Sequence, residues 1–172
     1  MTSDVTIEIM GECEDIEHLL AIIEAAEEDA CEYDWGHAAE TSDIVASFKE
    51  AVENAKAFTL LKSDTTSIFN NVREACRNAG LNYIVSYGPM GEESFSDAIF
   101  YRAGGEEFEI PLDAMSEVIP MRDVREAAEI GIHAVRRVIA DYDRKVLKDV
   151  EQTFVVPEAV VAEIAARTNP SP

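Results

Sequence analysis

Three short β-rich runs follow one another with no helical stretch between them: NYIVSYG at 82–88, SDAIFYRA at 96–103 and EEFEIPL at 106–112. Short runs joined by PMGEE and by a glycine pair read naturally as antiparallel neighbours. Gly104 and Gly105 lie between the second and third runs, where a type I′ hairpin turn requires positive φ at both central residues. An antiparallel meander is the expected result. Before it, VTIEIM at 5–10 alternates with Val5, Ile7 and Ile9 on one face, the pattern of a half-buried strand.

The rest of the chain is mostly helical in period. Asp15 occupies an N-cap position ahead of Ile16, Leu19, Leu20, Ile23 and Ala26, which predicts an amphipathic helix over about 15–30. Thr41, Ser42 or Asp43 can cap a second helix with the stripe Ile44, Val45, Phe48, Val52 and Ala55. FTLL at 58–61 fits either an extension of that helix or a short strand. A third helix is expected from Asp64 or Thr65 to a C-cap at Gly80. After Pro120 one continuous helix is expected through Val124, Ala127, Gly131, Val135, Val138 and Tyr142 to about Leu147, then a strand at 152–157 and a short helix at 158–167. Residues 32–41 read as a loop or an irregular strand. Strands and helices that do not alternate one for one predict an α+β fold, an antiparallel β-meander with a helical layer on one face and acidic N-terminal helices. The 172 residues suit a single domain, with an acidic helical subdomain at 1–80 and an α+β portion at 81–168 as the alternative division.

Charge is distributed less evenly than structure. Against 14 Lys and Arg the chain has 35 Asp and Glu, a formal net charge of −21. Residues 1–60 carry 16 acids and 2 bases, residues 61–121 carry 10 and 4, and residues 122–172 carry 9 and 8. No Lys or Arg precedes Lys49. Such a surface argues against direct contact with nucleic acid or an anionic membrane, which are held by Lys and Arg. A positively charged protein partner is expected instead, and carboxylates in a row can take the place of phosphates in a groove lined with Lys and Arg. The candidate partner-binding residues are Glu12, Glu14, Asp15, Glu17, Glu24, Glu27, Glu28, Asp29, Glu32, Asp34 and Trp35. The neighbours Tyr33 and His37 extend the aromatic group around Trp35.

Chemistry is otherwise sparse. No phosphate-binding loop, dinucleotide glycine fingerprint or GxSxG elbow occurs. Cys13, His18, Cys31 and His37 have the right ligand types for zinc but the spacing of no compact zinc site, so no metal or other cofactor is expected, and the three cysteines, Cys76 included, read as reduced thiols. Glu129 and His133 at i, i+4 are the one acid–base pair in an apolar helical context, and Asp141 and Asp143 flank Tyr142 next to Arg144 and Lys145. Both read better as structural pairs than as catalytic ones. The chain's main basic cluster is Arg136, Arg137, Arg144, Lys145 and Lys148. The start has neither a basic region nor a long apolar run, which predicts a cytoplasmic protein.

The stretch GLNYIVSYGP, followed by FYRAGGEEFEIPLDAMSEVIPMRDVREAAEIGIH, resembles the Imm1-like bacterial immunity proteins between about residues 80 and 133. The positions that carry the resemblance are Gly104, Gly105, Ile119, Pro120, Val124 and Ala127. After Gly131 the family's short helix, R-P turn and closing strand give way here to IHAVRRVIADYDRK. The resemblance implies a small acidic antidote that inhibits a secreted toxin. Together these readings predict a non-enzymatic acidic inhibitor that occludes a basic nucleic-acid-binding surface, in the manner of DNA-mimic anti-CRISPR and anti-restriction proteins or toxin antidotes. The alternatives are an immunity protein that inhibits without mimicry and a small metal- or histidine-dependent enzyme. A homo-oligomer assembled through the less acidic C-terminal half is a further expectation.

Overall fold

The computed structural model describes residues 3–34, 37–63, 68–89, 96–112, 119 and 121–168. Its centre is β1 (Ser3–Glu12), which pairs antiparallel with β4 (Phe58–Lys62) on one side and β5 (Asn82–Pro89) on the other. The meander continues from β5 to β6 (Ser96–Tyr101) and β7 (Glu107–Leu112). At the opposite edge β2 (Glu32–Asp34) and β3 (His37–Ala38) form a small hairpin on β4, so the order runs β3-β2-β4-β1-β5-β6-β7. A two-residue strand, β8 (Phe154–Val155), adds the one parallel pairing, to the end of β1. The fold is α+β.

Strand alternation sorts the apolar side chains onto two faces. Val5, Ile7, Ile9, Phe58, Leu60, Tyr83, Val85, Ile99 and Tyr101 point to the first face. Four helices cover it: α1 (Ile16–Glu28), α2 (Thr41–Glu53), α3 (Asn70–Asn78) and α6 (Glu158–Thr168). Phe48, Phe58 and Phe154 meet at its centre with ring centroids 5.7 to 6.0 Å apart. β1 of the N-terminal half pairs with β5 of the C-terminal half, and residues from both build this one core.

The second face is covered as well, which corrects the expectation of a single helical layer. Met10, Ile84, Ala98, Phe100 and Ile110 point there and are closed off by Tyr142, Val146 and Leu147 from the end of a C-terminal helix. The strand residues on this face are spaced by two and alternate with the first face's set. A sheet apolar on both faces must find cover on both.

Other elements depart from their sequence expectations for local reasons. FTLL forms β4, because its neighbours on the sheet supply the hydrogen bonds that a helix extension would have lost at Ala55 (φ 49°). The third helix begins at Asn70 after Phe69 (φ 50°); the residues expected to cap it, Asp64 and Thr65, lie outside the described residues. The glycine hairpin is looser than a type I′ turn. Tyr101 pairs with Glu107, so the connection spans 102–106, and of the two glycines only Gly104 has positive φ (77°). The long helix after Pro120 is two helices. α4 (Met121–Ile130) ends at Gly131 (φ 135°), and α5 (Ile132–Lys145) starts anew beside it as a helical hairpin. No helix among the described residues is long and apolar enough to cross a membrane.

Candidate acidic interface

α1 turns Leu19, Ile22, Ile23, Ala25 and Ala26 into the core, and this fixes what faces out. Glu17, Ala21, Glu24 and Glu28 are exposed at i, i+4, i+7 and i+11, one continuous outer stripe. At 1.5 Å of rise per residue the stripe is about 16 Å long. Glu12 and Glu14, both exposed, extend it past the start of the helix. They flank Cys13, which is buried and whose N–H donates to the Val155 carbonyl at 3.0 Å, so the strand end holds both carboxylates outward.

The other predicted residues divide. Asp15 is exposed but occupied as the N-cap of α1, its Oδ1 accepting from the Glu17 N–H at 2.8 Å. Glu27 is exposed and accepts from the Thr41 hydroxyl at the first residue of α2. Glu17 has a counter-charge from the far end of the chain, Arg167 at 2.8 Å, which also holds Glu163 at 2.6 Å. The backbone of Asp34 lies in β2, while Trp35 lies outside the described residues.

Asp29 and Glu32 do not belong to the surface. Asp29 is 4% exposed; its Oδ2 accepts from the Val72 N–H at 2.9 Å, and its carbonyl accepts from Lys62 Nζ at 3.1 Å. Val72 is in the first turn of α3, whose N-cap residue Phe69 has no side-chain acceptor. Asp29 therefore supplies from outside the helix the anion that the exposed N–H groups and the positive end of the dipole favour. Glu32 is half-buried and accepts from the hydroxyl and the N–H of Ser63, tying β2 to the end of β4.

Sequence reasoning missed the acids that neighbouring helices add. Glu50 and Glu53 of α2, and Glu158 and Glu163 of α6, are exposed in the same outer layer as α1. Helical period held the signal for α2, since a buried Ile44, Val45, Phe48 and Ala51 leaves Glu50 and Glu53 outward. Between α2 and α6 runs a groove of about 520 Å³, floored by Val52, Val156, Val161 and Ala165 and rimmed by Glu53, Glu158 and Lys49. Apolar walls under a mostly acidic rim suit a side chain that is aliphatic along its stem and cationic at its tip, as Lys and Arg are.

A second charged cluster was not legible in sequence at all. The Glu107 carboxylate on β7 accepts from Arg73 and Arg77 of α3, the latter at 2.8 Å, and from the Tyr83 hydroxyl of β5. Burial by itself raises the Glu107 carboxyl, but hydrogen bonds from Arg73 and Tyr83 and the charges of both arginines hold it below its ordinary range. This network ties α3 to the edge strand.

All three thiols are buried. Burial, with the nearby Asp29 charge, pushes Cys31 up to about 12, and burial raises Cys13 and Cys76 too. Among the described residues no three His, Cys, Asp or Glu side chains converge as metal ligands. The Glu129–His133 pair expected on one helix face is divided by Gly131, Glu129 ending α4 and His133 beginning α5, both exposed. No protein-family model matches the chain, and neither a curated protein nor a solved structure does.

Proposed function

We propose that this protein is a non-enzymatic inhibitor that lays its acidic helical layer onto the basic, nucleic-acid-binding surface of another protein, its carboxylates standing in for phosphates. The observation that carries this reading is the stripe Glu17, Glu24 and Glu28 with Glu12 and Glu14: five exposed carboxylates on α1, the end of β1 and the short connection between them, of which only Glu17 has an ion-pair partner among the described residues. Like charges at i, i+4, as at Glu24 and Glu28, cost a helix a few tenths of a kcal/mol per pair, so the stripe is not there for the fold. A fixed field of one sign speeds encounter with a basic partner and weakens with salt. Anti-restriction and anti-CRISPR inhibitors of the DNA-mimic kind and toxin antidotes share this strategy.

The test is capture. Immobilised protein, beside a variant with Glu12, Glu14, Glu24 and Glu28 changed to Gln, is exposed to a bacterial lysate and the retained proteins are identified. This reading expects basic nucleic-acid-binding proteins on the wild type, released by salt or by a short DNA duplex and absent from the variant. Retention of the same proteins by both would overturn it. An immunity protein acting without mimicry is the second reading, favoured by the resemblance at residues 80–133, and it expects the Gln variant to keep its partner. The third reading, a small metal- or histidine-dependent enzyme, started from Glu129 and His133, which lie on α4 and α5; an unaltered activity in a His133→Ala variant would remove that pair from it.

A further inference from the structure

The α4–α5 hairpin differs from the rest of the molecule in both polarity and charge. α4 packs on α5 and buries only Ala127, while α5 buries only Tyr142 near its end. Of the five large apolar side chains exposed among the described residues, four are here: Met121 (63%), Ile130 (81%), Ile132 (61%) and Ile139 (40%). In a chain of net charge −21, residues 121–148 carry seven bases and five acids. Two copies meeting here would set a slightly basic surface, not an acidic one, against itself.

The pattern along α5 is self-complementary. Ile132, Arg136, Ile139 and Asp143 follow one another at spacings of four, three and four, a single stripe beside the half-buried Ala134, Val135 and Val138. Reversing the stripe about its Ile139–Ala140 midpoint brings Arg136 opposite Asp143 and Ile139 beside its own copy. Arg136 has no ion-pair partner among the described residues, and Asp143 has Lys148 at 3.3 Å.

We propose that the chain forms a two-fold dimer in which the α5 helices pair antiparallel about Ile139, with Arg136 of each copy against Asp143 of the other. An isologous contact of this kind closes on itself and leaves both α1 surfaces open. The proposal does not depend on what those surfaces bind. Salt bridges at the edge of such a contact select the register, and the two Ile139 side chains meet at its centre.

Sedimentation equilibrium of the full chain tests it. The wild type is expected at twice the 19.0 kDa chain mass. Ile139→Glu, Arg136→Glu and Asp143→Lys are each expected to weaken association by about tenfold or more, about 1.4 kcal/mol. The double variant R136E/D143K restores the opposed charges and is expected to recover the dimer, which no loss of folding in a single variant can imitate. A wild type that stays at the monomer mass into the hundreds of micromolar overturns the proposal. So does a double variant no tighter than its parents, or a dimer indifferent to Ile139→Glu.

Discussion

Asp29 follows directly on the acids of α1, yet its carboxylate faces inward to the first turn of α3, 43 residues on. Asp29→Ala removes an N-cap acceptor and leaves a buried N–H unpaired, and is expected to lower stability by about 1–3 kcal/mol in urea or thermal denaturation. Salt-dependent binding by the outer stripe is expected to be unchanged. Glu107 makes a second residue-scale prediction, with a defined pH direction. Its folded pKa is depressed, so its contribution is fully present above the unfolded value of about 4.3 and disappears as pH falls through the lower folded value. Glu107→Gln is therefore expected to be less stable than wild type at neutral pH and equal to it in acid, measured by unfolding across a pH series. Neither residue's role was legible in the sequence. A local pattern records which helix face an acid occupies, whereas the partners of Asp29 and Glu107 are brought in by folding from tens of residues away.

Elements were easier to read wherever a period or a cap was strong. β1, α1, α2 and the meander follow directly from alternation or helical spacing. The ends were harder, because several helices close through a left-handed residue that is not glycine. Ala30 (φ 54°) ends α1 and Ala55 (φ 49°) ends α2, in the role that Gly80 plays after α3. The Cys31 N–H reaches the Ala26 carbonyl at 3.1 Å and the Lys56 N–H reaches that of Ala51 at 2.9 Å, the wide hydrogen bond of a Schellman closure. An L-residue held there is strained, and both alanines are exposed. Ala30→Gly and Ala55→Gly are each expected to stabilise the protein by about 0.5–1 kcal/mol, a rise in Tm of a few degrees. The opposite holds at Gly131, where φ of 135° divides α4 from α5: Gly131→Ala is expected to destabilise the hairpin although no atom stands in the way of the added carbon. A helical period that runs unbroken through 124–142 does not reveal that division. In α1, Glu24→Gln with Glu28→Gln relieves a like-charge pair and is expected to raise stability by about 0.2–0.5 kcal/mol while weakening the partner complex.

Across the whole molecule, the charge has a direction. The helical layer formed by α1, α2 and α6, with the residues that lead into α1 and α2, is strongly acidic on its outside, and the hairpin on the other side of the sheet carries slightly more base than acid. The acidic stripe was visible in the sequence as the absence of any base before Lys49, but its width was not, because α6 joins it only through the fold. Long-range repulsion of this size disfavours compaction, and a surface of this kind persists where it meets an opposite charge. On the proposed reading the stripe on α1 replaces phosphate. The measurement that tests it most directly is the affinity of the captured partner for the wild type and for the E12Q/E14Q/E24Q/E28Q variant over a salt series, with a short DNA duplex as competitor. Wild-type binding is expected to fall steeply with salt and to be displaced by the duplex, and variant binding to be weaker with a shallower salt dependence. Equal affinities with equal salt dependence would contradict that reading.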